Sequence, residues 1–295
     1  MTLTKNPKHR ALLTMTAGAT MFGFMAFFAK IASLRLSGPE VVMFRMSAGL
    51  IPVILIARYR RAALQFQRVD LLLYRGFFGG VATTLYFLAI QHTTAGVATL
   101  LNYTSPIWSG TFSMLFIGER FSSRVIVPVA VALSGVFLVV RTGAFGFSMW
   151  EIVGLCSGVA SGAAVTAMRA ARRGENSWSI YASFCLFGTL VSAPLALQAW
   201  KTPMGNEWFA LAATSLFAMG AQLMLTFSLR WLDAVTVGVI SQLAVLISIT
   251  LGAVFLAEVV TPLAALGSAL TISGVIGVTY LTSIGRPAEE AMPEA

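Results

Sequence analysis

The chain has 295 residues, 57% of them hydrophobic and only 11% charged, with a formal net charge of +9. A soluble globular domain carries roughly a quarter charged residues, so composition excludes a soluble enzyme or binding domain of this size. The basic excess does not mark a nucleic-acid surface either, because Lys and Arg fall in short breaks between apolar runs instead of clustering on one exposed face.

A bilayer core about 30 Å thick takes roughly 20 apolar helical residues to cross. Ten such stretches follow in chain order, at 11–32, 39–57, 70–90, 95–116, 124–141, 149–169, 177–199, 207–229, 234–256 and 262–283. Ahead of them lies a short tail, 1–10, with Lys5, Lys8 and Arg10; the run after it is too long for a cleaved signal and reads as a first span. The breaks carry turn and charge signals: Ser37-Gly38-Pro39, the basic run from Arg58 to Arg68, Arg172-Arg173-Gly174 and Thr202-Pro203. After the tenth span, 284–295 reads as a disordered tail with Pro287, Glu289, Glu290 and Pro293. Lipid-facing barrel strands alternate polar and apolar residues; these runs are apolar all round, so the expected class is all-α. With the N-terminus in the cytoplasm, only Lys30, Arg35, Arg45, Arg141 and Lys201 fall on the far side. The other basic residues, Arg75 among them, flank the cytoplasmic side, a positive-inside bias that also puts the C-terminus there. Cys156 and Cys185 lie inside apolar segments as packing residues and offer neither a disulfide framework nor a metal site, and no cofactor is called for.

The two halves, 11–141 and 149–283, echo each other at an offset of 139 residues. Gly118-Glu119 matches Ala257-Glu258, Ser134-Gly135-Val136 matches Ser273-Gly274-Val275, and Phe116, Thr111, Ser109 and Ala95 fall on Phe255, Thr250, Ser248 and Ala234. A five-span unit begins and ends on opposite faces, so its copy must sit upside down. The expected architecture is therefore ten transmembrane helices as two inverted five-helix repeats. Repeats of this kind characterise secondary transporters, with the substrate near the midplane between them.

The stretch Tyr86-Phe87-Leu88-Ala89-Ile90, Ala95, Val97-Ala98, Ser105-Pro106 and Gly118-Glu119-Arg120 resembles the fourth-helix signature of the drug/metabolite transporter superfamily, EamA type. Residues 227–258 resemble it again, with Val245 where the family often has Pro and Ala257 where it has Gly. The resemblance implies a cavity lined by the first four helices of each half, with helices 5 and 10 outside it. It also implies substrates such as amino acids, other metabolites and amphipathic drugs. The aromatic and Met content of the early spans is similar to that of aromatic amino-acid exporters.

In span 4, Thr99, Asn102, Tyr103, Pro106, Gly110 and Ser113 are spaced to share one helical face; Gly238, Ser241, Gln242, Val245, Ile249 and Gly252 are their counterparts in span 9. Unpaired amides and hydroxyls are costly in hydrocarbon. The candidate solute-binding residues are therefore Thr83, Tyr86, Thr99, Asn102, Tyr103, Gln222, Ser241 and Gln242, with interhelical hydrogen-bonded glue as the alternative. Pro52, Pro106 and Pro194 each remove a backbone donor and are candidate gating hinges or static kinks. Gly154, Gly158 and Gly162 form a close-packing stripe, Met21, Met25 and Phe28 a Met/aromatic wall, and Trp108 points the other way as packing. Lys30 and Arg45 could attract a carboxylate but lie near enough to helix ends to snorkel, which is the reading adopted. Glu119 and Glu258 read as structural, and His92 as interfacial. No acidic residue lies mid-membrane, so proton coupling has no support and facilitated diffusion stays open. The expected function is export of a small organic solute, such as an amino acid, by alternating access. The partners are that solute and the lipid bilayer, with no nucleic acid and with the oligomeric state open. An intramembrane enzyme and a non-transporting scaffold are the competing readings; too few nucleophiles, bases and metal ligands lie in the spans for the first, and the loops are too short for the second.

Overall fold

In hydrocarbon a peptide group finds partners only inside its own helix or in a closed barrel. A computed structural model describes residues 7–59, 64, 66–117, 126–141, 149–171, 174–229, 231–232 and 234–284, and among these every regular element is a helix. In chain order they are α1 (Pro7–Ala32), α2 (Gly38–Tyr59), α3 (Val69–His92), α4 (Ala95–Asn102), α5 (Ser105–Ile117), α6 (Ile126–Arg141), α7 (Met149–Ala171), α8 (Ser177–Gln198), α9 (Asn206–Ser228), α10 (Ala234–Ser241), α11 (Leu243–Phe255) and α12 (Pro262–Ile284). Among the described residues seven helical stretches are long and apolar enough to cross a membrane, and Ile126–Val139 and Pro262–Gly277 are shorter apolar helices. Large side chains such as Leu13, Ile51, Leu115, Phe209 and Leu216 face outward, as a lipid-contacting surface requires. The first helix starts at Pro7, so the polar residues expected in the tail through position 10 join it. Gly118, Glu119, Arg120 and the tails 1–6 and 285–295 lie outside the described residues.

Local sequence sets the helix starts. Ser37 and Glu40 form a capping box at α2: the Glu40 N–H donates to Ser37 Oγ (3.3 Å) and the Ser37 N–H to Glu40 Oε2 (3.4 Å). Thr94 Oγ1 accepts from the Val97 N–H (3.1 Å) to start α4, and Asn176 Oδ1 accepts from the Ser179 N–H (2.9 Å) to start α8.

Spans 4 and 9, expected to be continuous, are each two helices. The first breaks at Tyr103-Thr104 and the second at Gln242, positions that correspond across the 139-residue offset. The cause of the first break is Pro106, which lacks the N–H that would bond the Asn102 carbonyl and sits comfortably only in the first turn of a new helix. The second break arises without a proline. Gln242 keeps φ −63° and ψ −19°, so the hitch is slight; its carbonyl bonds the N–H of Val245, three residues on (3.1 Å). The single-helix face expected for span 4 is thereby split, and its two ends turn to different neighbours. Pro52 and Pro194, by contrast, lie inside unbroken helices α2 and α8.

The main core joins α1, α2, α3, α8 and α9 around Met25, Met46, Phe87, Ile90, Phe184 and Leu211. Helix α7 packs on α3 and on both pieces of span 4, while α1 packs in the same way on α9 and α11. A Cβ at Gly158 would lie 2.5 Å from the Leu101 carbonyl oxygen, and one at Gly162 would lie 2.5 Å from Trp108 Cβ, so the glycine stripe of α7 and Trp108 are indeed close-packing surfaces. Met21 lies against Gly220, and Phe28 stacks on Phe217 with centroids 5.7 Å apart; the Met/aromatic wall of α1 is helix packing against α9. Helices α6 and α12 pack on each other, Thr271 Oγ1 donating to the Ala132 carbonyl (3.5 Å) from the symmetry-related position.

Candidate functional site

The centre of the bundle holds two guanidinium groups. Arg45 enters α2 seven residues beyond Gly38, roughly 10 Å of helix at 1.5 Å per residue, and Arg75 enters α3 six residues beyond Val69, roughly 9 Å. Neither snorkels: Arg45 is 7% and Arg75 6% exposed. Both turn toward Phe184 of α8. The Arg75 Cζ stands 4.3 Å from its ring centroid and the Arg45 Cζ 5.8 Å, with Arg45 also 5.5 Å from the Phe87 ring. The expectations that Arg45 reaches a helix end and that Arg75 is a cytoplasmic flank are both corrected here. The sequence signal for the second was Arg75's position well inside its own apolar run, followed by Gly76, Gly79 and Gly80. Those glycines let α8 approach: a Cβ at Gly76 would meet Phe187 and Ser183, and one at Gly79 would collide with the Arg75 guanidinium itself.

No carboxylate balances these charges among the described residues. The titratable neighbours of Arg45 are Tyr181, Cys185, Tyr86 and Tyr103, and those of Arg75 are Cys185 and Arg45. Arg75 Nε is buried without a hydrogen-bond partner. A cation over an aromatic ring gains about 0.5–2 kcal/mol, whereas burying an ion costs several kcal/mol even after relaxation. The rings therefore do not offset the desolvation of two guanidinium groups. What remains must come from water or from an anion.

The residues expected to bind solute gather around this centre unevenly. Tyr86 and Thr99 are buried and share a hydrogen bond (Oη to Oγ1, 2.8 Å). The Gln242 Nε2 donates to the Tyr103 carbonyl (3.4 Å), so the two helix breaks touch each other, and the Tyr103 ring meets Phe22 edge-on. The Thr83 hydroxyl returns to the Gly79 carbonyl (2.9 Å), and that of Ser241 to Val237 (2.7 Å). Asn102 turns away from Tyr103 and toward α7, its Nδ2 donating to Ser157 Oγ (3.0 Å) and Ser161 Oγ (2.9 Å). Gln222 is buried within α9. Pro106 starts α5.

Polar contacts tie helix ends together at both ends of the bundle. At the end where α2 and α9 begin, Arg35 pairs through Nε and Nη2 with both carboxylate oxygens of Glu207, and its Nη2 also reaches the Thr202 carbonyl (2.6 Å). The bonded carboxylate raises the Arg35 guanidinium above its ordinary value. At the same end the Lys30 ammonium donates to the carbonyls of Ile90 (2.9 Å) and Thr93, capping α3. Glu258 accepts from the Ala95 N–H (3.0 Å), capping α4 from the other half. Burial raises the Glu258 carboxyl above the usual range, and the Ala95 N–H and Lys30 pull it back in part. At the opposite end Glu175 accepts from the Arg68 N–H (2.6 Å), and Ser183 Oγ donates to the Leu72 carbonyl. The loop carrying Glu175 follows α7 as the loop carrying Arg35 follows α1, so these contacts are counterparts in the two halves. His92 stacks on Trp150 (3.7 Å) at a helix end, as an interfacial residue does.

Among the described residues, several apolar helices long enough to cross a bilayer, packed around buried polar and charged groups, define an integral multi-pass membrane protein. The EamA-like transporter family matches the chain twice, over residues 9–141 and 148–280, and the chain belongs to that family. It is 30% identical over 274 residues to the pseudopaline exporter CntI of Pseudomonas aeruginosa, across 92% of this chain and 96% of that one. The threonine/homoserine exporter RhtA of Escherichia coli is 27% identical over 270 residues, 86% of each chain. A solved crystal structure superposes with a TM-score of 0.64 at 20% identity, covering 93% of this chain and 98% of its own, a likeness of fold.

Proposed function

We propose that the chain exports a small organic metabolite, such as an amino acid, by alternating access, through ten crossings arranged as two mutually inverted five-helix repeats with both termini in the cytoplasm. The observation that carries this reading is the contact between the two helix breaks, Gln242 Nε2 on the Tyr103 carbonyl, at corresponding positions of the two halves. Broken helices expose backbone and side-chain polar groups where two repeats meet, which is where transporters of this plan bind their cargo. Tyr86, Thr99, Tyr103 and Gln242 are the binding groups nearest that junction, and the Arg35–Glu207 and Glu175–Arg68 contacts are the two latches that must open in turn. Asn102 supports the site from behind through α7.

The test is efflux from proteoliposomes loaded with radiolabelled threonine and a panel of other amino acids. Wild-type protein should empty the vesicles of at least one solute, and Gln242→Ala should slow that efflux at least tenfold while inserting and eluting as a monodisperse peak. Unchanged efflux in Gln242→Ala refutes the role of the break. A reporter-fusion map that puts positions 60 and 200 on the same side refutes the inverted arrangement.

A further inference from the structure

We infer that the buried guanidinium pair of Arg45 and Arg75, beside Phe184 and Tyr103, is an anion site, and that the solute carried there is an organic dicarboxylate, free or as an amino dicarboxylate. This deepens the transport reading above and rests on it. Arg45 and Arg75 come from α2 and α3 of the first half, and Phe184 from α8 of the second, so the site lies across the boundary that alternating access must open and close. The two guanidinium groups share one ring at 4.3 Å and 5.8 Å, so their charged carbons are no farther apart than those two radii together allow. That upper bound leaves both guanidinium groups within reach of two carboxylates on one short carbon chain. Each guanidinium presents a planar fork of donors matched to a carboxylate. The Arg75 Nε has no partner and the side chain is more than nine-tenths buried. No hydrogen bond or ion pair of Arg45 occurs among the described residues, and its titratable neighbours are three tyrosines and a cysteine. The Tyr103 hydroxyl, likewise unbonded among the described residues, can donate to a carboxylate held by Arg45. Phe184 and Phe87 supply an apolar floor for the connecting carbons.

Gly79 ties this arrangement to the sequence. One turn beyond Arg75 it leaves the guanidinium room to lie along α3 toward Phe184, and any Cβ there would displace it.

The experiment uses full-length protein in liposomes loaded with glutarate, a plain five-carbon dicarboxylate, or with glutaramide, its uncharged diamide, with threonine in parallel. The expected result is glutarate efflux at least tenfold faster than glutaramide efflux. Arg45→Gln, Arg75→Gln and Gly79→Ala should each lose at least tenfold of the glutarate rate. Where a glutamine variant fails to fold, Arg45→Lys and Arg75→Lys keep the charge and should retain glutarate over glutaramide at a reduced rate. Equal efflux of glutarate and glutaramide, or efflux of threonine alone, overturns the anion site and leaves the transporter standing. Efflux of none of these or of the other amino acids overturns the transport reading and the site together.

Discussion

The α7 glycine stripe offers the sharpest check on how span 4 is held. Gly158 lies directly against the break, and a Cβ there would stand 2.5 Å from the Leu101 carbonyl oxygen, 2.6 Å from Thr104 Oγ1 and 3.4 Å from the Asn102 carbonyl. The Leu101 carbonyl already accepts from Thr104 Oγ1 (2.7 Å), so it cannot swing aside without losing that bond. Ordinary contact begins near 3.4 Å, so α7 must retreat by roughly 1 Å. Overpacking of this kind costs about 1–3 kcal/mol. Retreat also stretches the Asn102 bonds to Ser157 and Ser161, together on the order of 1 kcal/mol in a membrane protein. Against this, Ala is favoured over Gly in a helix by about 1 kcal/mol. The net expectation for Gly158→Ala is a loss of ~1–3 kcal/mol, a drop of several degrees in the melting temperature. Gly110→Ala is the control: nothing lies within 4 Å of its added Cβ, so only the helix preference acts and melting should hold or rise. The assay is fluorescence-detected thermal unfolding of the detergent-purified proteins. If Gly158→Ala melts at or above wild type, the close approach of α7 to the break is refuted.

Glu207→Gln breaks the charged pair with Arg35, and labelling of a Thr202→Cys reporter in a Cys156→Ser background should quicken severalfold; an unchanged rate argues that no latch exists there. Tyr86→Phe removes the hydroxyl bonded to Thr99 and should cost about 1 kcal/mol, read as a small drop in melting temperature, with a larger change in solute KM than in maximal rate. Glu258→Ala strips the cap from the Ala95 N–H and should cost about 0.5–2 kcal/mol in thermal stability. The same variant bears on pH. A carboxyl raised by burial binds more protons folded than unfolded, so its contribution to stability falls as pH rises from about 4.3 through its raised folded value and is flat above. Glu258→Ala should lose that slope, and retention of it would place the titration elsewhere.

Much of the fold was legible because a bilayer imposes a length on every crossing. The uninterrupted apolar runs, the 139-residue echo and the signature around Tyr86 to Pro106 carried the helical class, the two repeats and the family. Pro106 marked the first helix break, but as a kink; its position beside Tyr103 made it a helix start instead. The break at Gln242 had no proline to announce it, and only correspondence with Tyr103 pointed there. Glu258 was legible as structural, since an acid just past a span end has only loop backbone and nearby cations to meet. Arg45 and Arg75 were misread for one reason. Distance along a helix tells how far a charge is from water, but the direction of the side chain around the helix is set by neighbours such as Gly79 and Phe184 from another segment. Sequence reports the first quantity and conceals the second.

That concealed quantity bears on how a carrier without a mid-membrane acid can avoid moving empty. Occlusion strips water from the centre, and each guanidinium left there alone costs several kcal/mol. A solute carboxylate offsets that cost only while it is bound, so it stabilises the occluded form over the open ones. A ligand drives a conformational change only through such a difference in affinity between states. On the anion-site proposal, the two arginines make loading and closure a single event: the empty protein resists occlusion because its charges need solvent, and the loaded one accepts it because they no longer do. Coupling then resides in charge compensation between chain and cargo, and no separate proton-binding residue is needed to hold the two latches in step.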